Sequence, residues 1–407
     1  MKRLYLLCLA GLIAASCEIL DDDTDKHDST RAAVPLSEVA QVLANIPLGT
    51  DQMSEVFGAV SSSAVNGYDE EYMMYDLFGT PGAGVGDDRL PLSKAPELSG
   101  VPLRDMIADY VRSQAATKSA SGIEDPSEWL DRLAESDVQI YWPFSESWDG
   151  EELPVITFDP EDDSEVNIGY RITEDSEGFR RIEEVLVDED VAMEMPVWVV
   201  NRNTDAGYTT LEMLRREDPD WGEGGGSIIV GSGSGTKSGS KVQSGGTVRS
   251  LILKDFTMNR NYDSWFAGAS EFFVKVGAFE DFTATTEAEL KLFTPSITDF
   301  LIVVRRNQKG IPVPFNAIVF SEWTDLVDSF AFMIIEDDGG TIKEWNCTAF
   351  VRVESKSYGV ELKIPYRSSD DIVWRGTLGS KWFEANSDIK GHFGDVDLTF
   401  ELIEKKL

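Results

Sequence analysis

Between Gly222 and Gly246 the chain carries 10 glycines and 6 serines in 25 residues, too little apolar surface to join a core. A segment of this composition behaves as a flexible coil. Any fold is therefore built on either side of it, in residues 34–221 and 247–407. The two sides differ in kind.

On the first side, Val39, Val42, Leu43 and Ile46 recur at three and four, which predicts a helix from Ser37. A second helix, capped by Thr50, is expected to run to about Val65 with Met53, Val56, Phe57 and Val60 on one face. Helices are predicted again over Leu103 to Ala116 and Pro126 to Glu135, the latter with Asp125 as N-cap and Pro126 as its first residue. Short apolar runs follow at 138–142, 155–158, 166–172, 182–187 and 197–201 and read as strands. Helices followed by a sheet make this an α+β domain.

Past Thr247 the pattern is all β. Alternation is plain in Val360-Glu361-Leu362-Lys363-Ile364 and in Val396 to Leu402, and eight or nine short strands at turn-bounded spacing predict a sandwich, C2-like or Ig-like.

Charge follows the same division. The net charge is −37, of which −34 falls between Glu18 and Glu223 and −5 after Gly224, with Lys2 and Arg3 making up the difference. A field of this sign repels nucleic acid and anionic headgroups and attracts divalent cations. Nucleic acid is excluded as a partner on this ground.

Cysteine and histidine narrow the chemistry further. Beyond Cys8 and Cys17 there is Cys347 alone, so the remainder of the chain has no pair for an internal disulfide. The histidines are His27 and His392, which rules out a two-histidine zinc motif. No haem or nucleotide motif is present either: Gly79 to Gly86 is glycine-rich but lacks the Lys-Ser/Thr ending of a phosphate loop and runs into Asp87-Asp88. Asp159 to Glu165 resembles the start of an EF-hand loop, yet Tyr170 stands where the closing glutamate belongs.

The N-terminus has Lys2 and Arg3, an apolar run from Leu4 to Ala15, and small residues before Cys17. This is the layout of a secretory signal, too short to span a bilayer. Ala14-Ala15-Ser16-Cys17 resembles the lipobox of bacterial lipoproteins, and the likeness implies cleavage after Ser16, acylation of Cys17 and a mature chain of 391 residues. The acidic run Asp21-Asp22-Asp23-Thr24-Asp25 resembles the surface-export signal of Bacteroidota lipoproteins, which implies an outer-membrane, surface-exposed location with residues 17–33 as tether. Asp28-Ser29-Thr30 resembles the O-glycosylation site of that phylum. The stretches 140–150, 153–158 and 195–201 are similar to uncharacterised exported bacterial proteins, a likeness that implies no catalytic residue.

Two stretches of the second side are similar to the C2 domain, an eight-stranded sandwich used for calcium-dependent membrane binding. Ser270-Glu271-Phe272-Phe273-Val274-Lys275-Val276 stands where that family has S-D-P-Y-V-K-V, and Phe332 to Gly339 where it has V-x-D-x-D. Glu271 replaces the expected aspartate, and the Asp337-Asp338 pair is out of step by one. Calcium takes six to eight oxygens, and the candidate ligands are Asp263, Glu271, Glu336, Asp337 and Asp338.

A second candidate set lies on the first side, where Trp142 and Trp148 flank Glu146 as a sugar-stacking edge with an acid beside it. Two functional classes stay open. One is a lipid-anchored surface module that binds calcium or engages a protein or glycan partner, with the 222–246 segment letting the sandwich swing. The other is a surface hydrolase using paired carboxylates in the first domain, on glycan or peptide.

Overall fold

The computed structural model describes residues 33–79, 91–96, 100–116, 125–162, 164–175, 177, 179–204, 208–217, 247–384 and 389–406. The leader, Cys17, the acidic tether, most of the glycine-rich loop at 79–86 and the 222–246 segment lie outside them.

The first region is mixed α/β. Its helices are α1 (Leu36–Asn45), α2 (Thr50–Val65), α3 (Met74–Phe78), α4 (Leu103–Ala116), α5 (Pro126–Ala134), α6 (Glu189–Glu194) and α7 (Leu211–Glu217). Asp125 caps α5, accepting the N–H groups of Ser127 and Glu128 at 2.9 and 3.2 Å. At α2 the cap is Gly49, not Thr50, and the Gly49 N–H donates to Gln52 Oε1 at 3.0 Å.

Its strands are β1 (Glu71–Met73), β2 (Val138–Tyr141), β3 (Val155–Phe158), β4 (Asn167–Glu174), β5 (Arg180–Val187) and β6 (Val197–Arg202), in the sheet order β1-β2-β6-β3-β4-β5. Every pair is antiparallel except β3 with β6. Strand β6 reads Val-Trp-Val-Val-Asn-Arg and is buried along almost its whole length. A strand apolar on both faces needs cover on both. Trp198 and Val200 join the helices in one core, with Leu43, Val56 and Trp142. Val197 and Val199 join a second core on the opposite face.

The second region consists of antiparallel sheets packed as a sandwich. One sheet has the order β10-β7-β16-β15, the other β14-β11-β8-β9. The strands are β7 (Thr247–Met258), β8 (Ser270–Ala278), β9 (Ser296–Val304), β10 (Val313–Thr324), β11 (Ser329–Glu336), β12 (Ile342–Val353), β13 (Lys356–Arg367), β14 (Asp371–Gly379), β15 (Ile389–Phe393) and β16 (Val396–Lys406). Leu251, Leu253 and Phe400 from the first sheet share a core with Phe272, Val274, Phe332 and Ile334 from the second.

Strands β12 and β13 form a hairpin of their own that lies over the outer face of the second sheet. Ala349, Leu362 and Ile364 from the hairpin pack there against Phe273, Ala331, Met333 and Ile335. Strand β11 is therefore enclosed on both faces and buried at all eight residues.

Both regions belong to one compact unit, Ala33–Leu407. Trp265 and Phe266, between β7 and β8, are fully buried in the core formed by Tyr141, Val155, Val197 and Val199 of the first region. At roughly 150–250 Å² per ring and ~25 cal/mol per Å², the two rings contribute on the order of 7–12 kcal/mol of transfer free energy, an upper bound. The sandwich is thus seated on the first region's sheet rather than swinging from it.

Candidate metal centre

Phe330, Phe332 and Ile334 point from β11 into the sandwich core. Side chains on a strand repeat with a period of two, so the next in that row is Glu336. It ends β11, opposite Phe272 on β8 and Asp371 on β14. Glu336 is 0% exposed, and neither of its carboxylate oxygens meets a hydrogen-bond donor among the described residues. A carboxylate buried without compensation costs several kcal/mol.

Two further carboxyls converge on it. Asp263 comes from the segment between β7 and β8, with its Oδ2 buried and without a donor. Glu271 comes from the start of β8 and is buried as well. One oxygen from each of the three lies within 4.8 Å of the others. The Glu336 carboxyl is pushed far above the usual carboxylate range by burial, by contact with Asp263 and by the charges of Asp263, Asp338 and Asp371. Burial raises Asp263 too, opposed by its contact with Glu336 and by the positive charge of Arg306.

The remaining candidates divide between the two faces of the strand end. Asp338 is exposed beside the cluster; partial burial of its carboxyl and the charges of Asp263, Asp371, Asp370 and Asp337 push it up to about 7. Asp337 stands apart, with its carboxylate 3.8 Å from Arg367 of the outer hairpin and accepting the Gly339 N–H at 3.3 Å. Its own N–H donates to the Glu271 carbonyl at 2.9 Å, which holds the end of β11 against the start of β8.

Asp263 also lines a cavity of about 540 Å³. Glu165 and Glu189 of the first region and Arg260, Arg306 and Lys309 of the second form much of its wall. Arg306 is held by both oxygens of Glu189, at 2.7 and 3.2 Å, and donates to the Asp263 carbonyl at 3.2 Å.

A scan against protein-family models and a search of the curated proteins return no match to this chain. Three carboxylates without histidine or cysteine could hold a metal ion and would offer it oxygen alone, a donor set of the kind that suits calcium, magnesium or manganese rather than zinc or copper.

The tryptophan set is placed otherwise. Trp142 is 1% exposed, enclosed by Phe57, Trp148 and Trp198 at ring distances of 5.4 to 6.0 Å. It has no open face for a sugar ring, because the residue just past β2 is turned into the helix-side core. Trp148 is partly buried against that core and donates through Nε1 to the Glu152 carbonyl at 3.0 Å. Glu146 is exposed and accepts a hydrogen bond from Asn307 at 2.6 Å.

Three residues near the centre are not marked by any motif. Asp69 and Glu70, 3% and 6% exposed, form a buried carboxyl pair, both raised by burial and both partly offset by Arg305. Asn201 ends the second-core row of β6 and donates to the carbonyls of Phe266 at 3.0 Å and Ala267 at 2.6 Å. The row Val197, Val199, Asn201 is readable as an alternation; its partner segment, 65 residues on, is not.

Proposed function

We propose that this chain is a lipid-anchored surface module that binds a divalent cation, calcium by its donor chemistry, through Asp263, Glu271 and Glu336, with Asp338 at the rim. One observation carries the reading: a fully buried glutamate has two oxygens without a donor and faces two other carboxyls. A hard cation would supply positive charge to the two Glu336 oxygens, which meet no donor among the described residues. A C2-like sandwich fits this reading, since the ligands gather at strand ends on one edge of the two-sheet core.

A hydrolase would need two carboxylates on a cleft wall, 5 to 9.5 Å apart. The carboxyl pair of the first region, Asp69 and Glu70, is buried, which favours the module.

Isothermal titration of the full chain with calcium, magnesium and manganese chlorides tests the site. Saturable calcium binding that Glu336→Gln abolishes supports it, and a flat titration of the parent chain overturns it. Attachment is tested separately, by mass spectrometry of protein from its native host. An acylated Cys17 as first residue is the expected result, and a free thiol there refutes the anchor.

A further inference from the structure

Two of the three proposed ligands, Asp263 and Glu271, are joined by the short segment 264–270; Ser270 at its end pairs with Val304 of β9 and accepts the Tyr262 N–H at 3.2 Å, while residues 265–269 are anchored on the first region. Trp265 donates through Nε1 to the Glu165 carbonyl at 2.9 Å, and its ring, with that of Phe266, fills the second core. The side-chain amide of Asn201 donates to the carbonyls of Phe266 and Ala267. Asp69 accepts the Ala269 N–H at 2.8 Å.

Gly268 makes the last contact possible. Its φ of +132° suits glycine, and a Cβ there would lie 3.0 Å from Asp69 Oδ2. The segment is therefore fixed at its middle and at its end by polar side chains that never reach the carboxyl cluster by hydrogen bond. Among the described residues, no donor reaches the buried Oδ1 of Asn201.

We infer that Asn201 and Asp69 are positioning residues for the cation site, so that its affinity is set by the first region although every ligand belongs to the second. This rests on the proposed cation site. Partners that orient metal ligands commonly govern affinity by 10- to 100-fold, and here such partners come from a different part of the chain. The consequence is a site that binds well only when the 264–270 segment is docked on the β6 face.

The test uses the full chain with calcium titrated calorimetrically, and terbium as a luminescent stand-in whose decay in H₂O against D₂O counts coordinated water. Asn201→Ala is expected to weaken calcium binding by roughly 10-fold or more and to add coordinated water as Asp263 or Glu271 loses its place. Asp69→Asn, which keeps an acceptor for the Ala269 N–H, is expected to bind far more nearly like the parent than Asp69→Ala. Leu133→Ala, a buried change in the helix-side core, controls for lost stability.

Equal affinity and equal hydration in Asn201→Ala and the parent overturn the positioning role while leaving the site intact, provided Glu336→Gln still abolishes binding. A loss in Leu133→Ala as large as that in Asn201→Ala overturns it too. A parent chain that binds no calcium removes both the site and the inference.

Discussion

Replacing Glu336 by glutamine keeps the side chain's shape and removes its charge, so it separates the two energies that meet at this residue. In the parent chain a cation held at 100 times its dissociation constant adds about 2.7 kcal/mol. Unfolding entropy of about 2.1 cal/mol/K per residue gives the unit Ala33–Leu407 roughly 0.8 kcal/mol/K. Calcium is then expected to raise a single transition by about 3–4 °C, whereas a sandwich melting alone from Thr247 onward would rise by about 8 °C.

In Glu336→Gln both rises should vanish. Without metal the variant is expected to melt at or a few degrees above the parent. The amide donates to Asp263, relieving part of the roughly 1–3 kcal/mol that an unsatisfied buried polar group costs. Differential scanning calorimetry with EDTA and with millimolar calcium reads both effects. A calcium-induced rise of undiminished size in the variant refutes the assignment of Glu336 as a ligand. A metal-free transition several degrees lower refutes the claim that its carboxylate lacks partners.

Asp338→Asn is expected to weaken calcium binding by less than about tenfold, since Asp338 lies at the exposed rim, and calorimetric titration decides it. Apparent calcium affinity should fall on acidification from pH 7 to 5, because burial raises the Glu336 and Asp263 carboxyls and protons then compete with the cation for them; a flat profile contradicts this. Glu280, away from the centre, is pushed up to about 7 by burial, partly offset by Ser321, with Asp281 and Glu322 adding to the rise. A carboxyl raised on folding contributes stability that is present below its unfolded value and lost as pH rises through the folded one. Between pH 5 and 8 the parent should therefore lose on the order of 1–3 kcal/mol relative to Glu280→Gln in urea melts. Trp265→Ala is expected to destabilise by about 3–5 kcal/mol and to split the single thermal transition into two; one unbroken transition argues against the seam as the link.

The legible parts of this fold are those where one face of an element decides its neighbours. The stripe Val39, Val42, Leu43, Ile46 gives α1, and the alternation Val360, Leu362, Ile364 marks β13 and which residues lie over the second sheet. Strand β15 is hard to read from sequence, because five residues containing Gly391 and His392 offer too few apolar positions to set a period. The first half of β12, Ile342 to Thr348, reads as polar because it belongs to the outer hairpin, where solvent covers one side. Helix α3 and strand β1 are too short for any period to register.

The centre was legible as a set of acids but not as a selection among them. Glu336, Asp337 and Asp338 stand side by side in the sequence, with nothing there to rank one above another. The selection is made by the strand. Phe330, Phe332 and Ile334 commit their row to the core, so the acid that continues the row is carried inward, and its neighbour Asp337 goes to the hairpin side and Arg367. Sequence alone cannot supply the second face of burial, because the hairpin that provides it follows β11 in the chain, and its Leu362 and Ile364 lie opposite Met333 and Ile335 by tertiary packing alone. Asn201 follows the same logic on β6. An asparagine after Val-Trp-Val-Val reads as the polar end of a strand until Trp265 and Phe266 cover that face, and then its amide holds the carbonyls of their segment. In both strands a polar residue closes an apolar row. In both, the chemistry follows from which face the row has chosen.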